Sequence, residues 1–84
     1  MNITVKLYAT LGDYLPPDAR RSNRLVMQVG DDTTVTDVIA PLNMPEKLVH
    51  LVLVNGRYLP PAVRTTHKLA DGDVLAIWPP IAGG

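Results

Sequence analysis

Ile3, Val5 and Leu7 alternate with Thr4, Lys6 and Tyr8. That two-residue period belongs to a strand buried on one side, and it predicts that the first trio faces a core. Ala9 to Leu15 carries Leu11 and Leu15 one helical turn apart, which predicts a short helix ended by Pro16-Pro17 and weakened by Gly12. A polar loop through Asn23 leads to a second alternation over residues 25–29. There Leu25, Met27 and Val29 form the inward set, because Arg24 and Gln28 lie on the opposite parity.

Gly30-Asp31-Asp32-Thr33 punctuates the chain, and Thr33 or Thr34 is placed to cap the next helix. Val35, Val38, Ile39 and Leu42 fall at i, i+3, i+4 and i+7, a single apolar stripe on a helix of about two turns. Asp37 belongs near its positive end. Pro41 lacks a donor and crowds the Asp37 carbonyl, so a kink or a frayed last turn is expected, with Asn43 in the left-handed exit position. Leu48 to Val54 is β-branched and nearly continuously apolar, as an inner strand is. Asn55-Gly56 is the strongest turn signal in the chain and returns it into a short edge strand, Arg57-Tyr58-Leu59, stopped by Pro60-Pro61. Leu69-Ala70-Asp71-Gly72-Asp73 forms a further tight turn into a last strand, Val74 to Trp78. Asp71 and Asp73 have no third ligand nearby in sequence, so turn chemistry is the better reading than a metal pair.

The element order is strand, strand, helix, strand, short strand, strand. It predicts an α+β unit in which a mixed sheet of four or five strands wraps one main helix. The first and last strands are candidates to pair in the middle of that sheet, a topology the pattern leaves open. Residues 1–78 form one domain and 79–84 a tail.

Composition narrows the function classes. With 84 residues and 46% hydrophobic content there is room for one core and little for an enzyme cleft. The absence of cysteine excludes disulfides, thiol nucleophiles and thiolate metal sites, and is compatible with a cytoplasmic location. The opening residues lack the apolar stretch of a secretory signal, and no window is long enough to span a bilayer. Eight basic and eight acidic residues give a net charge of +0, which argues against nucleic acid as the main partner. The one dense basic spot, Arg20, Arg21 and Arg24, is read as a solvated loop, with a small docking site for an acidic partner as the alternative. His50 and His67 have no nucleophile or acid nearby in sequence, and no catalytic constellation emerges.

The tail carries the chemistry instead. Pro79-Pro80-Ile81-Ala82 leads into Gly83-Gly84. Glycines strip side chains from the end and widen its backbone freedom, so it can thread a narrow channel. Fully extended at about 3.3 Å per residue, residues 79–84 reach roughly 20 Å beyond the last strand. The two prolines hold that run extended, Ile81 is a candidate apolar anchor, and the Gly84 carboxylate is the candidate reactive group. If Leu75 and Ile77 face the core, Ala76 and Trp78 lie on the open side of the last strand, where an exposed indole is a docking hot spot; with the parity reversed, Val74, Ala76 and Trp78 would be core, and the open-side reading is preferred.

In order along the chain, Leu7-Tyr8-Ala9-Thr10-Leu11, Val35-Thr36-Asp37-Val38-Ile39, Val54-Asn55-Gly56-Arg57, Leu69-Ala70-Asp71-Gly72-Asp73-Val74 and the final Pro79 to Gly84 resemble the ubiquitin-like, β-grasp sulfur carriers. That family includes the small subunit of molybdopterin synthase and the thiamine sulfur carrier. The Pro-Pro before the tail and the helical segment between the first two strands are closer to the molybdopterin branch. The shortened helix at Pro41 departs from both. The resemblance implies that this chain binds no cofactor and that an E1-like adenylating enzyme, using ATP and magnesium, activates Gly84. A sulfur donor protein would then convert it to a thiocarboxylate that donates its sulfur in molybdopterin or related cofactor biosynthesis, with the large subunit of a molybdopterin synthase receiving the tail. It also implies a partner-facing sheet, with Tyr58, Ala76 and Trp78 as contact residues. Alternatives are a thiamine-type sulfur carrier, a ubiquitin-type modifier that forms an isopeptide through Gly84, and a passive binding module.

Overall fold

The computed structural model describes residues 1–80. Five strands, β1 (Asn2–Leu7), β2 (Arg24–Gln28), β3 (Leu51–Val54), β4 (Arg57–Tyr58) and β5 (Val74–Trp78), form one sheet in the order β2-β1-β5-β3-β4. β1 and β5 run parallel at its centre and every other pairing is antiparallel. This is the ubiquitin-like β-grasp fold that the family resemblance implied.

Register explains the core. Val5 lies beside Leu75 and Leu7 beside Ile77, and across β5 those two meet Val54 and Val52. With Ile3 these side chains make one apolar face. A helix covers it. Short α2 (Val35–Ile39) begins at a capping box: Thr34 accepts from the Asp37 amide, and the Asp37 carboxylate accepts from the Thr34 amide. Val35 and Val38 are fully buried against the sheet, while Ile39 and Leu42 are partly buried beside them. The expected second turn is not α-helical. Pro41 has no amide hydrogen to continue the ladder, so residues Ala40–Leu42 tighten into a 3₁₀ turn, and Asn43 leaves it with φ 58°.

Three boundaries differ from the sequence reading. Residues Ala9–Tyr14 form a 3₁₀ rather than an α-helix, although Leu11 and Leu15 are buried as their spacing predicts. The loop after it contains one helical turn, α1 (Pro17–Arg20), because Pro17 takes the first helical position, where a missing donor costs nothing. The inner strand starts at Leu51, three residues later than expected, since Glu46–Leu48 coil into a 3₁₀ turn after Pro45.

Both tight turns are as their residues predict. Asn55 and Gly56 adopt φ 51° and 81°, the left-handed pair of a two-residue hairpin. At the second, Gly72 sits at φ 84° and both aspartates bond to backbone or side-chain donors. Asp71 accepts from the Asn2 amide at 2.7 Å, and Asp73 accepts from the Ala70 amide and from Asn55 Nδ2, each at 2.8 Å.

Candidate docking face and tail root

The face of the sheet opposite the core carries the other parity, and the register sorts it into rows. Arg24, Lys6, Ala76, Leu53 and Tyr58 lie side by side across all five strands. One step toward the tail, Tyr8 extends β1 beside Trp78, which pairs with Leu51. One step the other way, Thr4 lies between Val26 and Val74. Leu51, Leu53 and Val74 are partly exposed, while Val26 and Tyr58 are the most exposed large apolar groups, at 59% and 54%. Among the described residues no helix covers this surface, so it is an apolar sheet face with a polar margin.

Two of the expected contact residues sit differently from the sequence reading. Ala76 is on the open face but only 9% exposed, because its methyl lies below the longer side chains of its neighbours Lys6 and Leu53. Trp78 also has the expected parity, yet its indole is half-buried: it stacks on Tyr8 with ring centroids 4.1 Å apart and planes parallel. Tyr58 is exposed on the edge strand as expected.

The stack belongs to a cluster of interactions that hold the end of β5. The Tyr8 amide donates to the Ile77 carbonyl at 3.0 Å, and the His50 amide donates to the Trp78 carbonyl at 3.1 Å. His50 is held in turn by Arg64, which is buried. The Arg64 guanidinium donates to three carbonyls, from Nε to Leu59 at 3.1 Å, Nη1 to Val49 at 3.3 Å and Nη2 to His50 at 3.1 Å. Arg64 was not among the sequence-derived candidates, and neither was Tyr8. Tyr8 shares the parity of Lys6, a signal that extending the β1 alternation by one residue would have caught. For Arg64 no local pattern exists.

Pro79 and Pro80 continue from this root, neither with a backbone donor. Ile81, Ala82, Gly83 and Gly84 lie outside the described residues. Among the described residues no group of three His, Cys, Asp or Glu side chains is placed to hold a metal ion, and no helix is long and apolar enough to cross a membrane.

A five-stranded mixed sheet around one short helix, with an open face leading to the end of its central strand, defines a small ubiquitin-like β-grasp protein. The profile of the Mut7-C ubiquitin family matches residues 1–82, and the chain belongs to that family. Among solved structures it is similar to SAMP1 from Haloferax volcanii, at 24% identity and a TM-score of 0.72 over 100% of both chains. It is also similar to a chain in the complex of subunits 1 and 2 of the molybdopterin-converting factor from Helicobacter pylori, at 20% identity and a TM-score of 0.61 over 100% of both. A third likeness is to the thiamine biosynthesis protein ThiS from Geobacter metallireducens, at 19% and 0.66, again over 100% of both. At these identities the likenesses carry the fold. No curated protein sequence matches the chain.

Proposed function

We propose that this chain is a ubiquitin-like carrier whose C-terminal glycine, Gly84, is activated by a partner enzyme and then transferred to an acceptor. The observation that carries this reading is the sequence Pro-Pro-Ile-Ala-Gly-Gly continuing directly from the anchored end of the central strand β5, next to an uncovered sheet face. A partner that grips the face, at Tyr58, Trp78 and the rim around Ala76, has the tail directed into its own active site. A free carboxylate is a poor electrophile. In the proposed first step a Gly84 carboxylate oxygen attacks the α-phosphorus of ATP, pyrophosphate leaves, and an acyl adenylate results. ATP, magnesium and the groups that stabilise the phosphoryl oxygens belong to the E1-like partner, and this chain contributes position.

The second step separates two fates. In the modifier reading, supported by the similarity to SAMP1, a small archaeal modifier protein, a lysine amine attacks the acyl carbon. AMP leaves and an isopeptide forms. In the sulfur-carrier reading, supported by the similarity to the molybdopterin-converting factor and ThiS, a donor persulfide displaces AMP, and reduction of the acyl disulfide by a thiol leaves a thiocarboxylate. We place the modifier fate first.

The test is incubation with each E1-like enzyme of the same genome, ATP and magnesium, followed by intact-mass and peptide mass spectrometry. The last basic residue is Lys68, so trypsin leaves residues 69–84 as a branch on any modified lysine. That branched peptide supports the modifier fate. A gain equal to the difference between sulfur and oxygen, seen only with a sulfur source, supports the carrier fate. Pyrophosphate release that persists after deletion of Gly84 would refute both.

A further inference from the structure

Lys6 and Arg24 are direct cross-strand partners on the open face. Side chains at such positions start about 5 Å apart at Cβ, and like charges there oppose folding. Among the described residues neither cation has a carboxylate partner, and the only ion pair is Lys68 with Asp32, at 3.4 Å. The imbalance extends over the whole face. Every outward position on β1 to β5 is apolar, neutral polar or cationic, although the chain has as many acids as bases. The eight acids lie outside the strands: Asp31, Asp32, Asp71 and Asp73 near turns, Asp37 at the start of α2, Asp13 and Glu46 in 3₁₀ turns, and Asp18 in α1, none of them paired with Lys6 or Arg24 among the described residues. Two adjacent cations beside an uncovered apolar surface thus form an unneutralised corner, in the row next to Tyr8 and Trp78.

We infer that Lys6 and Arg24 are the electrostatic selector for the docking partner, matched by two or more carboxylates that flank an apolar centre on the partner's surface. This inference rests on the proposed function for the identity of the partner, an E1-like adenylating enzyme, and adds the chemistry by which it is recognised. Repulsion that opposes folding of the free chain is relieved on docking, when each cation meets an anion. Charge complementarity of this kind acts mainly on encounter rate and partner choice. A nucleic acid is the competing polyanion, and the net charge of +0 disfavours it.

Two measurements test the inference. In the free protein, Lys6→Glu replaces repulsion by attraction and is expected to raise the thermal midpoint by about 2–6 °C in low salt. The gain should shrink at high salt; a lowered midpoint means no conflict exists and overturns the inference. In the second, the KM for the carrier is measured in adenylation by the E1-like enzyme, alongside direct binding without ATP. The double variant Lys6→Glu/Arg24→Glu is expected to raise KM and the dissociation constant by about 10–100-fold with kcat nearly unchanged. Lys47→Glu, which lies off this face, should change neither.

Equal KM for wild type and double variant overturns the selector and leaves the proposed function standing. A wild-type chain that binds with the expected charge dependence but is never adenylated does the reverse. Absence of binding to any E1-like enzyme sinks both. A labelled oligouridylate bound by the wild type and released by the double variant, with enzyme binding unaffected, would reassign the corner to nucleic acid.

Discussion

Replacing Arg64 by Met keeps the unbranched stem that packs in the fold and removes only the three donated hydrogen bonds. The Leu59 residue is buried, so its carbonyl loses its bond with little access to water, at about 1–3 kcal/mol. Val49 is half-buried and His50 exposed, so their carbonyls regain water, and each loss falls to about 0.5–1 kcal/mol. Relief of the guanidinium's desolvation offsets part of the sum. The net cost is about 2–4 kcal/mol, out of a total stability of about 4–12 kcal/mol for a domain of this length. In a thermal melt followed by circular dichroism this is a fall of about 10–20 °C. Arg64→Lys keeps a charge but has one nitrogen for three acceptors, so its midpoint should fall between the two. Native-state hydrogen exchange adds a local readout. Because the His50 amide donates to Trp78, its protection should drop in Arg64→Met more than that of Val5. A loss under about 1 kcal/mol, or unchanged exchange at His50, would refute the view that this side chain holds the root of the tail.

Three smaller effects are expected elsewhere. Thr34→Ala removes one half of the capping box and should cost about 1 kcal/mol in urea denaturation, with Asp37→Ala non-additive in a double-mutant cycle because the two bonds are reciprocal. Gly56→Ala meets no atom within 4 Å, so its expected cost of about 1 kcal/mol in the same assay is purely that of φ 81°. By contrast, Gly12→Ala, whose added carbon meets its nearest neighbour at an ordinary 3.7 Å, should be neutral or stabilise by up to about 0.5 kcal/mol.

Sequence range decides which features were readable before the fold was known. Alternation in β1 and β2, the Asn55-Gly56 turn and the Thr34 cap depend on neighbours within a few positions, and each was legible. The α-versus-3₁₀ choice in Ala9–Tyr14 and Ala40–Leu42 was not, because Leu11 and Leu15, or Val38 and Leu42, point to the core in either geometry. The candidate site was legible in parity but not in exposure. Trp78 was assigned to the open side correctly, and only the parallel β1–β5 pairing, which the pattern left open, reveals that Tyr8 stacks on it. Arg64 reaches Val49 and His50 across 15 and 14 residues, so no local spacing signals it.

Those non-local contacts converge on one place, and that convergence has a functional consequence. β5 is bonded on both sides, to β1 as far as Ile77 and to β3 as far as its last residue, Trp78. The side chain of that residue is stacked on Tyr8 and its carbonyl is taken by His50, which Arg64 fixes. The next two residues, both prolines, add no donor for a sixth strand to recruit. Interactions within the domain therefore hold the chain as far as Trp78. Under the proposed function, a central strand held this firmly would transmit docking on the open face to the residues that follow it as a fixed direction, which is the positioning an activating partner needs.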